Sequence, residues 1–516
     1  GSCPRAFFVL PAITALRRTS MSTSHATRGL QFREPLIFEG STPGRAAHSL
    51  PQSARDAPGD VKIPSGFQRQ TQAGWPEVSE LEAVRHFVRL SQQNYGIDVG
   101  FFPLGSCTMK YNPKINEEVA RFAGFAGLHP LTPPSMVQGA LEVYWQLERY
   151  LAEITGFDAV TLQPAAGAQG EFTGLALIKA HLTERDGNPR TKILVPDTAH
   201  GTNPATCAMN GYKAVPLISS DTGLVSPEAV AAVMDDETAG IMVTNPNTLG
   251  LFETDIAQIA AIVHDKGGAV YCDGANMNAL LGRARPGDMG IDVMHLNLHK
   301  TFSTPHGGGG PGSGPVCVRS FLEPYLPVPR VNKVDDTYVL EMDQPLTIGR
   351  VKAFFGNFGM HVRAYTYIRE LGREGLKEAS EMAVLNANYI RARLSETYNV
   401  IHDRMCMHEV VLNDKHQRST GVGTRDIAKA LIDKGFHPPT MFFPICVPNA
   451  IMIEPTETES RQTIDTFCDA MLSIDREARE DPEMILTGPH LPIVGRLDET
   501  LAVRKPILRW RQPDVE

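Results

Sequence analysis

The stretch GIMVTNPNTLGLFETDIAQIAAIVHDKGGAVYCDG (240–274) reads as strand, helix, strand. Residues 240–244 and 269–272 are short apolar runs bounded by turn residues, as buried strands are. Between them, 256–266 carries apolar side chains at helical spacing. A strand–helix–strand unit of this length lays its strands parallel and its helix over one face. Working outward, 159–162, 192–195 and 292–295 are further short apolar strands, 171–181 is a helix, and 136–155 is a longer helix with Gly156 as its stop. The fold class expected is α/β, a mainly parallel sheet covered on both faces.

Beyond the glycine-rich run near residue 310 the pattern changes. Residues 365–394 are helical with a break around Gly372, 407–412 and 451–454 are strands, and 424–434 and 459–474 are helices. This is a smaller α+β region. The division expected is a tag or upstream leader at 1–20, an extended arm and first helix at 21–95, a large cofactor-binding domain at 96–345, a small α+β domain at 346–487 and a Pro-rich tail at 488–516. The first twenty residues read as translated sequence upstream of Met21, with a mitochondrial presequence as the alternative. A chain of 516 residues is too long for one simple core.

Composition excludes several classes. With 58 acidic and 49 basic residues the net charge is -9, which argues against nucleic acid as a partner. No apolar run is long enough for a membrane span. The eight cysteines show no C-x-x-C pair, so no metal site is expected and the thiols read as free, in a reducing compartment.

Three segments carry chemistry. LQPAAGAQGE (162–171) runs from strand through a glycine-bearing turn into a helix, a geometry that offers backbone N–H groups to an anion. Asp273 ends an apolar strand, where open α/β sheets place ligands. Lys300, in HLNLHKTFS (295–303), follows the last strand and precedes a glycine-rich run. Taken singly, these are a tight turn, a turn-capping acid and a loop lysine. Together they place a phosphate turn, a pyridinium acid and an amine nucleophile on one crevice, the constellation of a pyridoxal 5′-phosphate (PLP) enzyme. His200, in a loop after another strand, can stack on a pyridine ring. The loop 244–248 offers polar groups, and 304–312 reads as active-site wall.

Several long strings resemble the glycine decarboxylase family, the P-protein of the glycine cleavage system. They are FPLGSCTMKYNPK (102–114), QPAAGAQGEFTGL (163–175), AHGTNPA (199–205), CDGANMNALLG (272–282), NLHKTFSTPHGGGGPGSGP (297–315), MIEPTETES (452–460) and RLDETLAVRKPILRW (496–510). The resemblance runs from about residue 35 to 510 and is to the carboxyl-terminal, cofactor-bearing half, here a separate β subunit. It implies the fold of PLP aminotransferases. It implies that Lys300 carries the cofactor, Asp273 pairs with the pyridine nitrogen and His200 stacks on the ring. Ala168, Gln169 and Gly170 would bind phosphate, His299 would transfer a proton or bind the substrate carboxylate, and Asn276, Thr244 and Thr301 would complete the shell.

The resemblance further implies an activity: decarboxylation of glycine and transfer of the aminomethyl group to the lipoyl arm of a carrier, the H-protein. It implies an α subunit as partner in an α₂β₂ tetramer, and a cytoplasmic location, with the mitochondrion as the lesser alternative. Two competing functions are an amino-acid lyase or cysteine desulfurase, for which Cys317 would be the thiol to examine, and a non-catalytic scaffold subunit.

Overall fold

A computed structural model describes residues 33–47, 62–70, 74–187, 189–307 and 312–509. Its larger sheet has seven strands: β1 (Ala159–Thr161), β2 (Lys192–Pro196), β3 (Lys213–Leu217), β4 (Thr238–Thr244), β5 (Ala269–Gly274), β6 (Val293–Leu296) and β7 (Val316–Val318), in the spatial order β1-β7-β6-β5-β4-β2-β3. Strands β2 to β6 pair in parallel, and β7 alone runs against its neighbours β1 and β6. The expected mainly parallel sheet is what the chain forms.

Side chains alternate between two cores, as a sheet buried on both faces requires. Ile241, Val243, Val270, Cys272, Met294 and Leu296 pack with the helix Gln138–Thr155 through Leu147 and Leu151. Met242, Tyr271 and Val293 pack on the other face with the helix Gly167–Asp186 through Leu175 and Ile178. That helix starts four residues before the expected 171, because Gly167, Ala168 and Gly170 give little apolar signal. Strand β3 was not anticipated. It is an edge strand with Pro216 in it, a position sheets tolerate but one that leaves no apolar run to read. The hairpin β8 (Arg330–Val334) and β9 (Thr337–Glu341) was missed for a similar reason, since few of its side chains are buried.

A second, antiparallel sheet follows: β10 (Asn399–Val400), β11 (Val410–Asn413), β12 (Thr440–Met441) and β13 (Ala450–Ile453), in the order β10-β11-β13-β12. The helices Thr424–Asp433 and Arg461–Glu480 cover it around Leu431, Phe467 and Ile474. One long helix, Phe358–Leu394, serves both sheets. Its first part gives Ala364, Tyr367 and Leu376 to the large-sheet core, and its last part gives Ala387, Ile390 and Leu394 to the small-sheet core. Between Tyr367 and Leu376, Gly372, at φ 59°, interrupts the helix where the sequence placed a break.

Near each end of the chain, the described segments pair with helices. Glu34 pairs with His86 and Arg89 of the helix Glu80–Gln93. In the tail, the N–H groups of His490 and Leu491 donate to Asp433, and Arg496 pairs with Asp426. The expected leader (1–20) and residues 308–311 of the glycine-rich run lie outside the described residues. No helix among the described residues is long and apolar enough to cross a membrane.

Candidate active site

The register of the large sheet puts three residues side by side at the carboxyl ends of parallel strands. Thr244 of β4 lies opposite Asp273 of β5, and Asp273 lies opposite His295 of β6. This edge is where doubly wound sheets bind ligands. A cavity of about 270 Å³ opens there. Its wall includes Ala168, His200, Thr244, Asp273, Asn276, His299 and Lys300, drawn from five separate segments. The size is near the lower end for small-molecule pockets, about 300 Å³.

Lys300 stands in the turn after β6, and its Nζ donates to the carbonyl oxygen of Ser106 at 2.6 Å. Ser106 belongs to a loop that the small sheet holds in place. Its N–H donates to Glu409 Oε2 at 2.8 Å, and the Thr108 N–H donates to Glu454 Oε2 at 3.1 Å. Two positions on, the buried Lys110 pairs with Glu457 at 2.7 Å and donates to Tyr367 OH at 3.1 Å. The loop therefore ties the lysine to both sheets.

Asp273 is 5% exposed. Its Oδ1 accepts from the Ala275 N–H at 3.0 Å, its Oδ2 accepts from Asn203 Nδ2 at 3.0 Å, and His295 Nε2 stands 3.4 Å away. Burial opposes ionisation, but the facing His295, the Asn203 amide, the Ala275 N–H and the Lys300 charge outweigh it and hold the carboxyl below its ordinary value. Asp273 is thus a carboxylate at neutral pH, the state needed to keep a pyridine nitrogen protonated. Behind it, His295 Nδ1 meets Tyr271 OH at 2.6 Å, which fixes the imidazole. Burial lowers the pKa of His295 as well.

The glycine-bearing turn forms the cavity's opposite wall. The first three N–H groups of an α-helix have no intrahelical acceptor, so those of Gly167, Ala168 and Gln169 face outward from the helix end. The Gly170 N–H is different: it donates to Ala166 O at 2.9 Å and is not free for a phosphate. Gly170 serves packing instead, because a Cβ there would stand 2.8 Å from Gly314 O and 2.9 Å from His295 Cβ. The Gln169 side chain turns away to Ala165 N and Val351 O, which leaves only its N–H for an anion.

Other expected residues divide. His200 stands at the cavity's mouth, with its Nδ1 2.8 Å from Thr202 Oγ1. His299 accepts from the Ser313 N–H at Nδ1, 3.3 Å away, which leaves Nε2 to carry the ring hydrogen. Burial, then the neighbouring His306 and Lys300, push its pKa down to about 3, so the ring is neutral. Asn276 Nδ2 donates to Thr108 Oγ1 at 2.6 Å and to Glu454 Oε1 at 2.8 Å. Thr301 does not line the cavity. It is buried, and its hydroxyl accepts from the Met277 N–H at 2.8 Å, so it braces the loop after β5. Cys317 is fully buried in β7 and burial pushes its thiol up to about 12, which removes the thiol a desulfurase would need there.

Sequence reasoning missed Ser106, Glu171, Asn203, His295, Glu409 and Glu454. Five of these stand inside strings quoted above, but a polar side chain inside a motif does not announce which way it points. The site fits PLP on the chain's own features. The helix end presents unpaired amides, Gly167 has no Cβ where one would collide with the Asn297 amide, and the Thr244 hydroxyl and Asn297 Oδ1 are buried without protein partners.

Two family models match the chain: glycine cleavage system P-protein over residues 51–334, and glycine dehydrogenase, C-terminal domain, over residues 379–486. A relative from Halalkalibacterium halodurans named probable glycine dehydrogenase (decarboxylating) subunit 2 is 56% identical over 480 residues, or 93% of this chain and 98% of the relative. Among solved structures, glycine decarboxylase (P-protein) of the glycine cleavage system, in inhibitor-bound form, superposes with TM-score 0.67 at 20% identity, over 80% of this chain and 93% of that one. An aspartate aminotransferase from Thermus thermophilus gives TM-score 0.54 at 16% identity, over 73% and 99%. At these identities the structural likeness is one of fold.

Proposed function

The chain belongs to the glycine cleavage system P-protein family, and from that premise we propose that it is the PLP-bearing subunit of a glycine decarboxylase. It would release carbon dioxide from glycine and pass the aminomethyl group to the lipoyl arm of a carrier protein. The observation that carries this is the convergence of Thr244, Asp273, Lys300 and the helix end at Gly167 on one cavity.

PLP, when bound, supplies an aldehyde carbon that takes up an amine and a protonated ring nitrogen that draws in the electron pair left as carbon dioxide departs. The chain's residues would then have these tasks. Lys300 would hold the cofactor covalently, its Nζ steered by the Ser106 carbonyl. Asp273 would keep the ring nitrogen protonated. The N–H groups of Ala168 and Gln169 would bind the phosphate, with Thr244 beside Asp273 as a further hydroxyl donor. His200 would cover the ring from the cavity's mouth. His299, neutral and with Nε2 free, would donate to the glycine carboxylate. Asn276 would hold the loop after β5 against Thr108 and Glu454.

A partner subunit fits the surface. Phe67 and Trp75 near the amino end and Ile507 and Leu508 near the carboxyl end are each more than three-quarters exposed. Isolated apolar side chains on a surface are common, but four large ones on the two terminal segments favour a covering chain. The relative's designation as a subunit 2 supports an α subunit, and an α₂β₂ tetramer is the assembly proposed. The bacterial relative favours the cytoplasm over the mitochondrion as its location.

The test is exchange of labelled carbon dioxide with the glycine carboxyl group, with lipoylated carrier present. The chain with its α subunit should exchange, the chain alone should exchange poorly, and the Lys300→Ala variant should not exchange in either case. Exchange by folded Lys300→Ala would defeat the assignment.

A further inference from the structure

Glu171 lies in the first turns of the helix Gly167–Asp186 and is 3% exposed. Its Oε1 accepts from the Thr202 hydroxyl at 2.7 Å. Its Oε2 accepts from Asn203 Nδ2 at 3.0 Å and from the Thr206 hydroxyl at 3.2 Å. The same Asn203 nitrogen donates to Asp273 Oδ2 at 3.0 Å. One amide thus bridges two buried carboxyls, and polar atoms of Glu171, Asp273 and His295 lie within 4.8 Å of one another.

Two carboxylates this close in a buried site do not both ionise readily. Their partners decide which one keeps a proton. Asp273 is faced by the Asn203 amide and the Ala275 N–H, which can only donate, and by His295. Two of the three partners of Glu171 are hydroxyls, which accept a hydrogen bond as readily as they give one. Glu171 therefore takes up a proton without losing its contacts, whereas Asp273 does not.

On the reading that Asp273 serves the cofactor's ring nitrogen, we propose that Glu171 and Asp273 act as a unit sharing one proton, which Glu171 holds so that Asp273 alone faces the ring as a carboxylate. Glu171 is in this sense a positioning residue, acting through Asp273. The groups facing it are Thr202, Asn203, Thr206 and Cys207 of the helix Thr202–Met209, Tyr271 and Asp273 of β5, and His295 of β6. Burial, and then the charge of Asp273, push Glu171 up to about 7. Burial raises the Cys207 thiol to about 12 and the Tyr271 hydroxyl well above its ordinary value, and it lowers His295. Glu171 is thus the carboxyl of the group that is raised toward neutrality, and above that pH the ring nitrogen would face a second negative charge.

The experiment uses the holoenzyme with an isotope-labelled cofactor ring nitrogen, reduced with borohydride so that the bond to lysine no longer titrates near neutrality. The ring-nitrogen resonance is followed from about pH 5 to about pH 9. The parent should show a step near pH 7, and Glu171→Gln should lose it. Glu171→Met, of similar volume and without charge, should lose it too. A step retained in either folded variant overturns the proposal. Asp273→Asn separates the two levels of the argument. If it leaves the resonance unmoved at every pH, Asp273 is not the ring partner and the underlying site assignment fails. If it moves the resonance while the step survives in Glu171→Gln, only the proton sharing fails.

Discussion

At the scale of single residues, the site depends on side chains that never meet the cavity. Glu253 is an example. Its carboxyl accepts from Asn247 Nδ2 at 2.7 Å and from the Val225 N–H at 3.0 Å, so it braces the loop after β4 that carries Pro246, Asn247 and Thr248 to the cavity. Burial pushes its pKa up to about 7, against the opposing pull of those two donors. A carboxyl with a folded pKa above its unfolded value binds more protons in the folded state. Its contribution to stability is present below the unfolded value and is lost as pH rises through the folded one. Glu253→Gln should therefore lose less stability than the parent between about pH 5 and about pH 8, by on the order of 1–3 kcal/mol. Urea unfolding at several pH values measures this, and equal slopes in parent and variant would contradict it. The substitution costs one hydrogen bond at every pH, so the slope rather than the absolute stability is the readout. Residues of this kind were illegible in the sequence. Asp273 and Lys300 could be read because each ends or follows a strand. Glu171, buried near the start of a helix, looks in sequence like any surface glutamate, and the partner that gives it meaning, Asn203, comes from a different helix.

At the scale of elements, close packing of the helix Gly167–Asp186 on the sheet sets where its amino end points. A Cβ at Gly174 would run into the Tyr271 ring and stand 2.9 Å from Val293 Cγ1. The helix approaches β5 and β6 closely because this position carries no side chain. Gly174→Leu should force the helix off the sheet, costing about 1–3 kcal/mol as overpacking does. It should also weaken cofactor binding, because Ala168 and Glu171 ride on the same helix. Thermal unfolding together with a PLP titration checks both, and unchanged affinity in a destabilised variant would show that the helix end does not hold the cofactor. The elements themselves were legible in proportion to their apolar patterning. Strands β4, β5 and β6, buried on both faces, were placed within a residue or two. The edge strand β3 and the hairpin of β8 and β9 were not seen, because a half-exposed strand does not need an apolar run. The helix Phe358–Leu394 begins seven residues before the expected 365, since Gly359, His361 and Arg363 in its first turns interrupt the apolar periodicity.

At the scale of the whole molecule, two sheets with separate cores are held together by the helix Phe358–Leu394 and by the loop around Ser106–Lys110. The cavity lies where they meet: Lys300 comes from the large sheet, while His408 and Glu409 come from the small one. Nothing in local sequence joins residues 106, 300 and 409. The strings that carry the family resemblance include residues 106 and 300 but not 409, and they did not mark Ser106 or Glu409 as parts of the site. In the proposed function, Lys300, among all the lysines of the chain, is the one that would bond to PLP. The direct measurement is borohydride reduction of the chain with bound PLP, followed by proteolysis and mass mapping. A single reduced phosphopyridoxyl adduct is expected, located on Lys300 and lost in Lys300→Ala. An adduct mapped to Lys110, or spread over surface lysines with none on Lys300, would contradict it.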